Sequence, residues 1–400
     1  MNLKVKIKDL LLVVLIYFGF YQMNFAQNTD KNCFKTGADR PELYLPLLKD
    51  KTIAIVTNQT GLLNDKTFLV DFLVKNNIKI KTIFAPEHGF RGDADAGEHV
   101  KNGIDQKTGI PIVSLYGDNK KPKPEQLKEI DLVLFDIQDV GVRFYTYLTT
   151  MARMMEACAE SGVKMIVLDR PNPIGFYVDG PILDMKYKSG VGWLPIPTVH
   201  GMTLGELAGM INGEKWLKDG IQCDVTVIKC KNYTHASMYQ LPVKPSPNLP
   251  DMRSIYLYPS TCYFEATPVS LGRGTTEAFQ MYGHPNMKGY KFSFTPKSIP
   301  GAKFPPQLNR ECYGVDLRTT PSIEEINKAG INLEYVIDAY NNLNLDDHFF
   351  RSFFELLIGQ GYVRKMIKEG KSAAEIKAMW AGDVAKFKEQ RRPYLLYPEN

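Results

Sequence analysis

The chain has 400 residues, 44% of them hydrophobic and 23% charged, which is the composition of a globular protein with a sizeable buried core. Its net charge of +5 comes from 49 basic and 44 acidic residues that are well mixed along the sequence. This mixing excludes the one-sided basic surface that binds nucleic acid, so we expect no nucleic acid partner.

The first 26 residues predict an export signal, because residues 10–20 are apolar and Asn24-Phe25-Ala26 ends in the small residue that is typical of a cleavage site. The charged front of this segment consists of Lys4, Lys6 and Lys8. We expect cleavage near Gln27, which makes the mature protein secreted or periplasmic. A retained anchor is the alternative, but the apolar stretch is shorter than the ~20 residues that span a bilayer. We therefore expect no stable membrane insertion after cleavage.

Strand-like runs rich in Val, Ile and Leu alternate with amphipathic helices in the first half of the mature chain. The predicted strands cover residues 52–57, 80–85, 110–117, 131–139 and 163–173. The predicted helices between them cover about 66–75, 124–130 and 147–162, the last closed by Gly162. Hydrophobic runs with little alternation indicate parallel strands that are covered on both faces. We therefore predict an α/β fold whose first domain, residues 27–235, contains a Rossmann-like parallel sheet.

The composition changes near residue 240, where a proline-rich segment is followed by aromatic loops that carry Glu265 and Arg273. Four helical patterns follow, at about 322–328, 333–342, 349–358 and 373–391. We predict a second, smaller α+β domain from residue 236 to residue 400.

The six cysteines all follow the predicted signal and show no metal-binding spacing. We expect small buried thiols, or one or two of the disulfides that an oxidising compartment permits. The cysteines are Cys33, Cys158, Cys223, Cys230, Cys262 and Cys312.

Polar residues follow the predicted strands, at the edge where parallel sheets bind ligands. Glu87 and His88 follow the second strand, and two other strands end in the segments 136–143 and 169–173. A dinucleotide is not expected there, because the first strand is followed by "NQTG" and the chain contains neither G-x-G-x-x-G nor a P-loop. We predict no cofactor.

Six motifs occur in order: "KDKTIAIVTNQTG", "APEHGFRG", "FDIQDVGVRFYTY", "DRPNP", "VHGMT" and "SLGRGTTEAF". Together they resemble the exo-β-N-acetylmuramidase family over nearly all of the mature chain. The resemblance implies a glycoside hydrolase that releases N-acetylmuramic acid from the non-reducing end of peptidoglycan fragments, saccharides of the MurNAc-GlcNAc type. It also implies an active cleft between the two domains, with no metal or nucleotide requirement.

Glycoside hydrolysis needs a carboxylic acid that protonates the leaving oxygen and a second carboxylate. Glu87 is the first choice for the acid, since Pro86 and the preceding strand hold it stiffly; the alternative is a carboxylate that only ties down the following loop. For the second carboxylate the candidates are Glu265, Asp139 and Asp136. Asp139 has the alternative of a structural bond with Arg143.

The other candidate residues are assigned to substrate binding or to orientation of the acid. Arginine suits the lactyl carboxylate of muramic acid, because its guanidinium donates two parallel hydrogen bonds. The candidates are Arg91, Arg143, Arg170 and Arg273, of which at least two are expected to be structural.

Tyr145, with Phe144 and Tyr147, is a candidate for stacking against sugar rings. Asn172 and Asn248 are candidates for binding hydroxyl or acetamido groups, and His88 and His200 for orienting Glu87.

Two other functions remain open from the sequence: a muropeptide-binding protein without activity, and a metal-dependent amidase or esterase. The metal hypothesis uses His88, His99 and His200 with Glu87 and Asp93 as oxygen ligands. No H-E-x-x-H or similar ligand spacing is present, so we predict no metal site.

Overall fold

The computed structural model describes residues 34–87, 89–91, 102–117 and 119–400, and the larger of its two β-sheets has seven strands. In chain order these are β1 (Thr52–Thr57), β2 (Lys79–Ala85), β3 (Gly103–Ile104), β4 (Pro111–Ser114), β5 (Leu132–Asp136), β6 (Lys164–Leu168) and β7 (Val225–Ile228). The spatial order is β3-β4-β2-β1-β5-β6-β7, and every pair is parallel except β3 with β4.

Five helices accompany this sheet among the described residues. They are α1 (Pro41–Leu48), α2 (Leu69–Lys75), α3 (Pro124–Leu127), α4 (Tyr147–Ser161) and α5 (Leu204–Gly213). Helix α4 ends where the sequence predicts, because Gly162 adopts the left-handed conformation (φ 65°) that closes a helix without a Cβ clash.

Alternate residues of β1 enter two different hydrophobic cores, which shows that the sheet is covered on both faces. Ile53 and Ile55 pack in one core with residues of α1 and α2. Ala54 and Val56 pack in the other with residues of α4 and α5. The predicted parallel sheet with helices on both faces is therefore confirmed.

The second domain combines a small sheet with helices. Its elements are α6 (Met252–Thr261), β8 (Met281–His284), β9 (Phe292–Phe294), β10 (Cys312–Asp316), α7 (Ile323–Ala329), α8 (Glu334–Leu343), α9 (Phe353–Ile358), α10 (Tyr362–Lys368) and α11 (Ala373–Arg391). The three strands are antiparallel in the order β8-β10-β9. The predicted α/β class with a smaller α+β domain is confirmed.

The end of the chain returns to the first domain. The Tyr397 hydroxyl donates to Asp169 Oδ2 at 2.6 Å, and the backbone N–H of Leu396 donates to Glu206 Oε1 at 2.8 Å. Arg391 donates to the carbonyl oxygen of Gly201. The two domains are thus joined by the last helix and tail as well as by the linker. The boundary between residues 235 and 236 stays a prediction.

Five cysteines lie in the described part of the chain, and all five are buried free thiols. The buried-thiol alternative therefore holds for Cys158, Cys223, Cys230, Cys262 and Cys312. Cys33 and the predicted export signal lie outside the described residues. Within the described ranges, no helix has the length and apolar character needed to cross a membrane.

Candidate functional site

A cleft of about 1190 Å³ lies between the two domains. Among the described residues, two carboxylates line it: Glu87 from the first domain and Glu265 from the second. Phe144, Tyr145, Tyr147 and Arg273 also line it, so the structure brings six of the candidate residues together. Their catalytic and binding roles stay predictions.

Glu87 reaches the cleft because β2 ends at Ala85 and Pro86 starts the turn that carries it. The Thr146 hydroxyl, just before α4, donates to Glu87 Oε2 at 2.9 Å. Tyr116 is also hydrogen-bonded to this carboxylate; burial and the nearby Glu87 raise the pKa of Tyr116 to about 12, so its phenol stays protonated. The carboxyl group is therefore held by two hydroxyl groups at the cleft wall.

Glu265 lies in a 3₁₀ turn, Cys262–Ala266, that continues α6. Arg273 binds its Oε1 atom through Nε at 3.2 Å and through Nη2. Gly272 and Gly274 both have φ of +84°, which lets the loop turn on either side of Arg273. The ion pair with Arg273 fixes the position of the Glu265 carboxyl group at the cleft wall.

Aromatic side chains form one wall of the cleft. The rings of Tyr145 and Tyr147 meet edge to face at 4.8 Å, and those of Phe144 and Tyr258 at 5.1 Å. The Tyr145 hydroxyl donates to the carbonyl oxygen of Pro245 at 2.7 Å, which fixes the ring. Tyr145 therefore offers its ring rather than its hydroxyl to a ligand.

Asp136 and Arg170 lie outside the cleft, which corrects the expectation that they contact substrate. Arg170 Nε and Nη2 donate to the two oxygens of Asp136 at 2.6 and 2.9 Å, and both side chains are buried. The strand ends meet here as predicted, but their charges neutralise each other inside the fold. The space beside Arg170 is only about 10 Å³, room for about one water molecule and not for a sugar.

Arg143 is also a structural residue, which corrects its assignment to the substrate. Its guanidinium is fully buried and donates to the carbonyl oxygens of Pro181, Ile196, Leu357 and Ile358 at 2.7–3.1 Å. Two of these carbonyls belong to the first domain and two to α9. Arg143 therefore links the domains and does not bond Asp139.

Asp139 is buried and does not line the cleft. Its Oδ2 atom accepts from the backbone N–H of Gly141 at 2.9 Å, whereas its Oδ1 atom has no hydrogen-bond partner in the described structure. Burial raises the pKa of Asp139 to about 7, against the lowering effect of backbone hydrogen bonds from Gly141 and Val140. This placement favours a structural carboxyl group over the predicted catalytic one.

Three polar candidates hold backbone rather than line the cleft, which corrects their assignment. Asn172 Nδ2 donates to the carbonyl oxygen of Met202 at 2.8 Å. His200 is fully buried, and burial lowers its pKa to about 3, so the ring is neutral and far from a role as proton donor. Asn248 Nδ2 donates to the carbonyl oxygen of Gly301 at 2.8 Å, so it supports a residue that does line the cleft.

Arg91 is half-buried and is absent from the described cleft lining. It binds both oxygens of Asp105 at 2.9 Å and packs over the rings of Phe68 and Phe90. The Nε and Nη2 donors of Arg91 are used by Asp105, which favours a structural role; its part in substrate binding stays a prediction. His88, His99 and Asp93 lie outside the described residues. Among the described ones, no group of three or more His, Cys, Asp and Glu side chains is placed to hold a metal ion.

Sequence reasoning missed one face of α4 and its preceding residue. Thr146, Thr149, Thr150 and Arg153 all line the cleft. Their spacing of 3, 4 and 7 residues is the signal that places side chains on one face of a helix. Tyr116, Lys120 and Lys303 also line the cleft, but no local pattern marks them.

Two family models match consecutive parts of the chain. The model described as "Exo-beta-N-acetylmuramidase NamZ, N-terminal" matches residues 53–253, and "Exo-beta-N-acetylmuramidase NamZ, C-terminal" matches residues 256–397. The chain belongs to the NamZ family. The resemblance predicted from the six motifs is thereby confirmed.

Known relatives of this NamZ family member agree along nearly its whole length. The peptidoglycan β-N-acetylmuramidase NamZ of Bacillus subtilis (strain 168) is 42% identical over 393 residues, 93% of each chain. A crystal structure of a DUF1343 family protein from Bacteroides fragilis is 61% identical, with a TM-score of 0.86 over 92% of this chain and 100% of that one. A second such structure from the same species is 30% identical, with a TM-score of 0.79 over 91% and 99%.

Proposed function

We propose that this chain is an exo-acting glycosidase that releases N-acetylmuramic acid from the non-reducing ends of peptidoglycan fragments. One observation carries the proposal: the inter-domain cleft of a NamZ family member holds a carboxylate from each domain, Glu87 and Glu265. A cleft of about 1190 Å³ has room for more than one sugar ring. We further propose substrates of the MurNAc-GlcNAc type.

In the proposed reaction, Glu87 protonates the leaving glycosidic oxygen. The hydroxyl groups of Thr146 and Tyr116 fix the carboxyl group in the cleft, so its position is set before the substrate binds. Glu265, ion-paired with Arg273, is the second carboxylate, acting as nucleophile or as base for water. Tyr145 and the neighbouring rings supply an apolar wall for the sugar.

The test is release of chromophore from a chromogenic N-acetylmuramic acid glycoside and from its N-acetylglucosamine counterpart. Faster release from the muramic acid substrate supports the proposal. Equal release from both substrates overturns the proposed specificity for N-acetylmuramic acid. Tight binding of muropeptides with no release from either substrate overturns the catalytic proposal and favours a binding protein.

We also propose that the protein works outside the cytoplasm, after removal of the first 26 residues. The charged and apolar segments at the start of the chain support this proposal. Intact mass of the protein recovered from the periplasm or medium gives the test. A mass that includes residues 1–26 overturns it.

A further inference from the structure

The proposed substrate carries a lactyl carboxylate, which a basic side chain of the cleft would bind. Four of the described lining residues are basic: Lys120, Arg153, Arg273 and Lys303. Arg273 already binds Glu265, and Lys120 is a solvent-exposed ammonium group. Arg153 is half-buried and has no carboxylate within ion-pair distance among the described residues. The nearest acidic group that affects it, Glu156, is bound by Lys121 at 2.6 Å.

Arg153 lies on the same face of α4 as the residue that holds the proposed acid. Thr146, which donates to Glu87, precedes Arg153 by seven residues. At ~1.5 Å per residue, the two positions are roughly 10 Å apart along the helix axis. Helical side chains are tilted toward the helix N-terminus, and the N-terminal end of α4 is the end that carries Thr146 and its partner Glu87. This separation suits a sugar whose glycosidic oxygen lies at Glu87, next to Thr146, and whose 3-O-lactyl group lies at Arg153.

The guanidinium of Arg153 packs against an aromatic ring. Its central carbon lies 4.6 Å from the centre of the Trp193 ring, a contact that holds one face of the guanidinium. The edge of a stacked guanidinium keeps its N–H donors available for the two oxygens of a carboxylate. Burial lowers the pKa of Arg153, because its charge is partly desolvated, and a bound anion would relieve that cost.

We propose that Arg153 binds the lactyl carboxylate of the terminal N-acetylmuramic acid and so determines the specificity for muramic acid over glucosamine. This inference rests on the proposed function. Arg153 takes the place of Arg143 and Arg170, which are buried outside the cleft, and of Arg91, which pairs with Asp105.

The test compares Arg153→Gln with the wild type on two substrates: the chromogenic muramic acid glycoside and the same compound with its lactyl carboxylate as a methyl ester. The wild type is expected to prefer the free acid. Arg153→Gln is expected to lose roughly 10- to 100-fold in kcat/KM on the acid, the worth of a charge-assisted hydrogen bond, and little on the ester. Arg153→Lys is expected to keep part of the preference.

The matched control is Lys188→Gln, which removes a second cation 3.9 Å from the Trp193 ring but outside the described cleft lining. It is expected to keep the preference for the acid. An Arg153→Gln variant that keeps the wild-type preference, or that loses activity equally on both substrates, overturns the inference while the proposed function stands. Absence of turnover by the wild type on the muramic acid substrate overturns the proposed function itself.

Discussion

Asp139 is a buried carboxyl group with one oxygen that has no partner within the described structure, and its pKa of about 7 affects stability. The ordinary pKa of an aspartate is about 3.9, so the folded state binds a proton more tightly than the unfolded state. The stabilisation is fully present below about pH 4 and is lost as pH rises toward 7. Above that range the folded protein carries a buried, poorly solvated charge.

We predict that Asp139→Asn removes this pH dependence. The wild type is expected to lose roughly 2–3 kcal/mol of unfolding free energy between pH 5 and pH 8 relative to the variant. Urea denaturation of both proteins at the two pH values measures the difference. An equal change in unfolding free energy between pH 5 and pH 8 for the two proteins would show that Asp139 does not titrate in this range.

Substitution of the two cleft carboxylates is expected to affect kcat differently, depending on the leaving group of the substrate. Glu87→Gln should reduce kcat on a natural disaccharide by roughly 10²- to 10⁴-fold, because general acid catalysis is lost. It should reduce kcat much less on an aryl glycoside whose leaving group needs no proton. Glu265→Gln should impair both substrates. A Glu87→Gln variant that is equally impaired on both would contradict the assigned acid role.

Helix α9 ends against Arg143, and this contact shows how one element fixes the position of another. The carbonyl groups at a helix C-terminus lack partners within the helix, and here Arg143 supplies donors to Leu357 and Ile358. Gly359 follows with φ of +82°, and a Cβ there would lie 2.6 Å from Arg143 Nη2. The helix end and the arginine therefore fit only with glycine at this position.

We predict that Arg143→Met destabilises the protein by roughly 3 kcal/mol or more, because each buried carbonyl left without a donor costs about 1–3 kcal/mol. Urea denaturation measures the loss. Arg143→Lys should recover little, since an ammonium group cannot reproduce the planar fork. A variant with unchanged stability and a raised KM would instead restore Arg143 as a substrate residue.

At the scale of the whole molecule, the returning tail makes residues near 397 part of the first domain. Asp169 accepts from Thr203 at 2.7 Å, from the Gly205 backbone at 2.8 Å and from Tyr397 at 2.6 Å. Tyr397 also accepts from the backbone N–H of Cys230 at 2.9 Å. The tail thus completes a buried network at the end of β6.

We predict that Tyr397→Phe lowers the free energy of unfolding by roughly 1.5–3 kcal/mol, the value of a hydrogen bond to a charged group. Tyr313→Phe is the matched control, because its hydroxyl bonds the exposed Glu311. Denaturant titration of the two variants compares the losses. Equal losses would mean that the tail contributes nothing specific to the first domain.

The sheet and most helices were predictable because their signals are local. Thr52–Thr57 and Ala373–Arg391 have the predicted bounds, since hydrophobic runs, helix periodicity and capping residues lie within each segment. The sequence analysis did not predict strands β3, β7, β8, β9 and β10 or helices α5, α6 and α10. Strand β7 is the β-branched run Val-Thr-Val-Ile but is only four residues long, and α6 contains Pro259, which argues against a helix in sequence.

The candidate site was less predictable than the fold. Glu87, Tyr145, Glu265 and Arg273 stand in distinct motifs and line one cleft, and their roles stay predictions. The buried residues were misassigned because their partners lie far along the chain: Arg170 is 34 residues from Asp136, and Arg143 is 215 residues from Ile358. Sequence shows the charge of such residues, but only the folded structure shows whether the charge is already neutralised.

The order of synthesis gives the tail one more consequence. Tyr397 is made 228 residues after Asp169, so Asp169 lacks this donor until that later part of the polypeptide has been synthesised. The nascent amino-terminal half is therefore less stable than the same half in the finished molecule. The export proposed above would be easier for a chain that is still unfolded, and this delay would keep the first domain unfolded for longer. Folding would then be completed after export.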